Sequence, residues 1–251
     1  LGADTNSVML ANGTSLETTT DVSAQQALHI TGNVAVDTAG NNSSFVGVIS
    51  GSAKLVKEGA GSLTLSGVNT YAGSTDINAG TLVISQDGNL GKAGTGVAIN
   101  NATLSLNGSV AVDRTIALAG TTATVNTTTG SSSLVKEVSG SAALVKTGAG
   151  TLTLNSANSY TGGTSVAAGK VALDANTALG LGAATFAKDT ELSLGISKGV
   201  SVANAIKTDG VITQSNNFDS SLTGVISGTG SLVKEGTGLL SLTGANSYSG
   251  G

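Results

Sequence analysis

The chain has no cysteine, no proline and no tryptophan in 251 residues, with only three phenylalanines, three tyrosines and one methionine. Without cysteine there can be no disulfide framework, no thiolate metal site and no thiol nucleophile. Without proline every backbone N–H stays available to a hydrogen-bond ladder, which suits strands paired on both edges. Aromatic residues make up 2% of the chain, so core bulk must come from Val, Ile, Leu and Ala, which fill a narrow core better than a broad one. Charge is scarce too, at 10% of residues against about 25% in a typical globular protein. No basic cluster stands out and the pI is near 4.8, which argues against nucleic-acid binding. No apolar run approaches the roughly 18 residues of a membrane-spanning helix, and no stretch reads as a signal peptide.

What the chain does have is glycine, 37 of them, among abundant Ser, Thr and Asn. That composition resembles a flexible linker until the apolar residues are placed. Mean hydropathy is +0.24, the net charge is only −4, and apolar residues alternate regularly with polar ones. A disordered chain lacks such a buried face. The sequence reads as ordered.

One sentence is written three times. Residues 55–73 read LVKEGAGSLTLSGVNTYAG, residues 144–162 LVKTGAGTLTLNSANSYTG and residues 232–250 LVKEGTGLLSLTGANSYSG, and each later copy matches the first at 12 of 19 positions. Leu55, Leu144 and Leu232 open the copies, 89 and 88 residues apart. The echo extends further, to Leu16, Leu104 and Leu192 and to the segments that begin at Phe45, Leu134 and Leu222. Repetition on this scale implies stacked units and not one closed globule. The units read as 1–44 (partial), 45–133, 134–221 and 222–251 (partial). The chain opens in mid-unit and stops where the earlier copies run on, so it reads as a slice of a longer array whose end coils should fray or pair end to end.

Within a unit the period is two. Ser62–Ser66, Asp76–Asn78, Thr81–Ser85, Gly96–Asn100, Thr103–Asn107 and Thr115–Ala119 are short alternating segments bounded by turn residues, the mark of strands. Many short strands are compatible with sandwiches, barrels, propellers and solenoids. Propeller blades repeat at about 40–50 residues with aromatic signatures, which are missing here, and sandwiches do not repeat an 88-residue sentence. The expected fold is all-β, a right-handed parallel β-helix (solenoid) built from about three 88-residue repeat units. Coils of roughly 20–25 residues, stacked at about 4.8 Å, would place four coils in each unit and about eleven in the chain.

The motif L-V-K-x-G-x-G-x-L-x-L-x-G-x-N-x-Y-x-G-x-T, continuing to G-x-[LV], closely resembles the passenger-associated transport repeat of bacterial autotransporters. Residues 55–84 and 144–173 match it throughout, and 232–251 match until the chain stops. Copy two departs mildly, with Thr147 in place of Glu, Ser156 where Gly67 stands, and Lys170-Val171 for Thr-Leu. The resemblance implies an autotransporter passenger held outside a Gram-negative cell. It also implies a partner, the outer-membrane β-barrel translocator, and roles in secretion, folding and adhesion. A host-surface, matrix or self-association partner is the further expectation.

Chemistry-bearing residues are few. Neither catalytic, cofactor-binding nor metal-ligating residues are expected. The single histidine, His29, reads as a solvent-facing strand residue, with Thr115 and Ala205 in its place in later units. The acids are scattered, the lone arginine, Arg114, has no acid cluster to work with, and Asp-rich calcium nonapeptides are missing. A carbohydrate-active β-helix is therefore disfavoured. The repeated positions Gly59, Gly61, Asn69 and Tyr71, Gly148, Gly150, Asn158 and Tyr160, and Gly236, Gly238, Asn246 and Tyr248 are expected to be structural. The asparagines should cap turns and the tyrosines should pack over glycine-rich corners. The pairs Lys57-Glu58, Lys136-Glu137 and Lys234-Glu235 are expected to be solvated, with Lys54 and Lys146 neutral in their effect on folding.

Overall fold

Thr and Val at alternate positions favour a pleated backbone with one face in the core, and the computed structural model, which describes residues 7–251, is built almost wholly on that pattern. Among the described residues there are thirty-one short strands and a single 3-10 turn, Asp87–Leu90. Strand pairings are parallel throughout, and the chain winds through about 12 turns of a β-solenoid. The first six residues of the opening unit lie outside the described residues.

Each turn visits three faces. The first carries a three-stranded sheet, Val8–Leu10, Leu28–Ile30 and Ile49–Gly51, and later a seven-stranded sheet running from Ala111–Val112 to Ser231–Lys234. The second carries a seven-stranded sheet from Thr14–Glu17 to Val138–Gly140 and later a three-stranded one, Ser201–Val202, Ser220–Leu222 and Leu240–Leu242. The third is an eleven-stranded sheet from Ser23–Ala24 to Ile226–Ser227. Backbone bonds bridge the two interruptions: Thr70 N–H donates to Ile49 O and Lys92 N–H to Tyr71 O on the first face, and Ser159 N–H to Val138 O and Leu181 N–H to Tyr160 O on the second. Sheet edges are thereby covered along the length of the rod.

Inward side chains stack in columns. On the third face Leu63, Leu82, Leu104 and Val125 stand in register, and on the second Ile77, Ile99 and Leu118 do. All are buried. The strand phase read from the sequence holds: Leu65 and Leu154 are buried, while Thr64 and Thr153 face outward, half-covered by their neighbours. The segment at Val22–His29, whose Ala and Gln run looks helical in isolation, forms the strands Ser23–Ala24 and Leu28–Ile30.

The expectation of four coils per unit is corrected. Four coil steps from Leu55 pass through Thr75, Val97 and Ile116 and reach Val138, six residues short of the repeat equivalent Leu144. Four steps from Leu144 pass through Thr164, Ala184 and Ile206 and reach Ile226, again six short of Leu232. Coils average nearer 21 residues than 22, because tight glycine corners need few residues. One unit is therefore about four and one-third coils.

Candidate functional site: an internal clasp in each repeat

The repeated motif builds a clasp inside the rod. Alternation from Leu55 sends Lys57 inward and Glu58 outward, and Lys57 stands in the same inward column as Val36 and Ile77. Its Nζ donates to the carbonyl oxygens of Glu58 at 2.6 Å, Gly59 at 2.7 Å and Ala79 at 3.2 Å. Lys146 repeats this with Thr147 at 2.8 Å, Gly148 at 2.7 Å and Ala168 at 3.0 Å. Lys234 makes the first two bonds, to Glu235 and Gly236, from an exposed position. The expectation of solvation is thus wrong for Lys57, which is fully buried, and Lys146, expected to be neutral in its effect on folding, is fully buried as well. The turn after the strand points carbonyls inward, and a buried carbonyl needs a donor; the lysine supplies three from one atom. Lys136, which is not an equivalent of these, is exposed and pairs with Asp113 at 3.3 Å, and Lys54 pairs with Asp76 at 2.8 Å.

The glycines make that turn possible. Gly59, Gly148 and Gly236 have φ of 74°, 77° and 64°, a left-handed conformation that side chains disfavour. Gly61, Gly150 and Gly238 lie so close to the preceding coil that a Cβ would collide with Asn41, Gly130 and Phe218 backbone respectively.

Asparagine and tyrosine close the clasp. Asn69 Oδ1 accepts from Ile49 N–H at 2.8 Å and its Nδ2 donates to Asn89 O at 2.6 Å, so one buried amide joins three successive coils. Asn158 does the same between Val138 and Ala178, and Asn246 accepts from Ile226 N–H at 2.8 Å. The asparagines are bridges between coils more than caps of one turn. Tyr71 and Tyr160 lie inside the rod and not merely over a corner; both are fully buried. The Tyr71 ring fills the space where a Cβ on Gly91 would stand, and Tyr160 does so at Gly180. Their hydroxyls meet Thr75 Oγ1 at 2.6 Å and Thr164 Oγ1 at 2.7 Å. Those threonines in turn donate to Leu90 O and Leu179 O. Tyr248 is half-buried. The partners Thr75 and Thr164 belong to the Y-x-G-x-T part of the motif, so their spacing was the signal that could have revealed them.

Arg114 is the site that sequence reasoning missed. It is 1% exposed, and its Nε and Nη2 grip both Asp87 carboxylate oxygens, at 3.0 and 3.1 Å. Its Nη atoms also reach the carbonyls of Leu90, Gly91 and Lys92 at 2.8–3.1 Å. A planar five-donor fork fits such a ring of acceptors. Asp87 and Arg114 are 27 residues apart, a little over one coil, so no local spacing could show the pair. Asn204 occupies the corresponding place in the next unit and donates to Gly180 O and Gly182 O. His29 faces outward beside Met9 and Ser50, with Nδ1 3.2 Å from Ser50 Oγ. Among the described residues, no group of three His, Cys, Asp or Glu could hold a metal ion.

The clasp has an alkaline signature. Burial pushes the Lys57 and Lys146 ammonium groups down from 10.5 to about 8, and burial pushes the Tyr71 phenol up from 10.0 to about 12 and Tyr160 up as well. Between pH 8 and 10.5 the unfolded chain binds more lysine protons than the folded one, so stability rises with pH. Above pH 10 the unfolded chain ionises its tyrosines while the folded one keeps them protonated, so stability falls. The urea midpoint is expected to climb from pH 8, peak near pH 10 and drop beyond; a monotonic fall from pH 8 would contradict it.

The passenger-associated-transport-repeat model matches residues 55–84, 144–173 and 232–251. The chain is also 40% identical over 122 residues to the Adhesin BmaC autotransporter of Brucella suis biovar 1 (strain 1330), covering 49% of this chain and 4% of that protein's length. The chain thus spans a small fraction of its relative. No solved structure matches it at a significant level. Each matched segment, 55–84, 144–173 and 232–251, coincides with one clasp.

Proposed function

We propose that this chain is a structural and adhesive stretch of an autotransporter passenger, a rod that extends from the surface of a Gram-negative cell after export through an outer-membrane β-barrel. The observation that carries the reading is the coincidence of the transport repeat with the clasp. In the first two copies the lysine, asparagine and tyrosine of the matched motif lie inside the rod, where the lysine and asparagine join neighbouring coils and the tyrosine meets the threonine four residues on. A motif that faces inward serves the scaffold, and it leaves the outer Ser, Thr and Asn positions free to vary with a partner. The motif residues Gly59, Gly61, Asn69, Tyr71 and their equivalents are accordingly structural, and the chain is read as non-enzymatic. The name of its relative, an adhesin, supports the adhesive half.

A second reading, a stalk that only aids secretion and folding and carries a distant functional tip, is favoured by the same inward placement. Beads coated with the purified chain separate the two. Clumping, or retention on a matrix-coated surface, is the expected result. Coated beads that stay dispersed and unretained would leave the stalk reading alone.

A further inference from the structure

Six residues decide how the outside of this rod is organised. Since each unit overshoots four coils by that amount, equivalent strands do not stack above one another. The strand Lys54–Glu58 lies on the second face, its equivalent Ala143–Thr147 on the third and Ser231–Lys234 on the first. The next strands follow the same rule: Ser62–Leu65 on the third face, Thr151–Leu154 on the first and Leu240–Leu242 on the second. The clasps move with them. Asn69 and Tyr71 fill the interruption of the first face, Asn158 and Tyr160 that of the second, and Asn246 meets Ile226 at the end of the third-face sheet.

We propose that the repeat is a one-third-turn screw, so that any surface position written once per unit is displayed in three directions around the rod. Two consecutive units step by about 21 Å along the axis and by a third of a turn about it, taking coils about 4.8 Å apart. An equivalent position returns to the same side only after three units, about 13 coils or roughly 62 Å. One extended polymer lying along the rod therefore cannot touch equivalent positions of neighbouring units. The partners this geometry fits are separate molecules distributed around the rod, one per unit, each with a footprint of a few coils. Multivalent attachment would then come from several sides at once. The proposal rests on the fold and not on the adhesive reading, so dispersed beads in the assay above would leave it standing.

The absence of cysteine allows a direct test on the full chain. Thr64, Thr153 and Ser241 are equivalents 89 and 88 residues apart, all outward on their strands. Pairs of Thr64→Cys, Thr153→Cys and Ser241→Cys carry spin labels for distance measurement, with circular dichroism as the folding control. If the labels spiral, the 64–241 distance falls short of the sum of the other two by roughly a fifth, for a rod whose outer chord matches its axial step. Equivalent labels stacked on one side give a 64–241 distance equal to that sum, and the proposal is overturned. Val68→Cys, Ala157→Cys and Ala245→Cys, all exposed at corners, give a second set should a strand position perturb folding. Presentation is tested on the triple variant with biotin on each thiol. Captured on a streptavidin-coated surface, it is expected to bind further soluble streptavidin. Complete loss of free biotin on capture would mean a one-sided rod.

Discussion

Arg114→Met will lower the unfolding free energy by about 2–3 kcal/mol, less than the loss of one partner of a fully buried ion pair, because Arg114 is buried while the Asp87 side chain is 25% exposed. The substitution leaves Asp87 without its counter-ion and takes the guanidinium donor from the buried Gly91 O, which needs one, whereas Leu90 O keeps Thr75 and Lys92 O keeps Thr95. Methionine fills much of the same volume, so lost packing is not the cause. Arg114→Lys is expected to recover only part of the loss, because a single ammonium cannot span the carboxylate and the carbonyl ring together. The measurement is urea unfolding together with amide exchange over residues 85–95. A change below about 1 kcal/mol for Arg114→Met would show that water replaces the guanidinium cheaply, and the turn at Asp87–Leu90 would then have to be self-supporting.

Leu154→Asp is expected to cost more still, at least several kcal/mol, since it drives an unpaired carboxylate into an apolar column. Leu154 is 0% exposed and stands between Leu134 and Leu173 in register. Thr153→Asp, one residue earlier and outward, should change stability by under about 1 kcal/mol. The two chains differ by the position of one carboxylate and have the same net charge, so the comparison isolates the face on which it sits. Equal effects would mean that the strand phase at this coil is inverted. In a solenoid the damage should also stay near its origin, with amide exchange quickened around residues 134–173 and little altered near Leu63.

The fold was legible because its signals are short-range. Alternation in Ser62–Leu65 and Thr81–Ile84 depends on adjacent residues, and the 88-residue echo needs only the sequence compared with itself. What was not legible depended on the coil length. Whether Lys57 faces water follows from alternation counted from Leu55, which does place it inward. Its charge argues the opposite way, and an ammonium surrounded by three carbonyls is not visible one-dimensionally. The Asp87–Arg114 pair depends on which residues fall beside one another after a full turn. An error of about one and a half residues in coil length, carried through four coils, likewise makes up the six residues that separate four coils from four and one-third. The asparagine and tyrosine positions were found from repetition alone, whereas their partners Ile49, Asn89 and Gly91 sit one coil away and carry no motif of their own.

Asn69 has a mechanical consequence. Because one side chain holds the backbone of three successive coils, the middle coil cannot leave without loosening both of its neighbours. Pulled from one end, such a rod does not unwind smoothly one coil at a time. It yields easily until the front reaches a clasp, holds there, and then releases a block of roughly three coils together, as nearest-neighbour coupling in a linear array requires. Recurring once per 88 or 89 residues, the clasps would act as a ratchet against tension, arresting a tear before it runs the length of the rod.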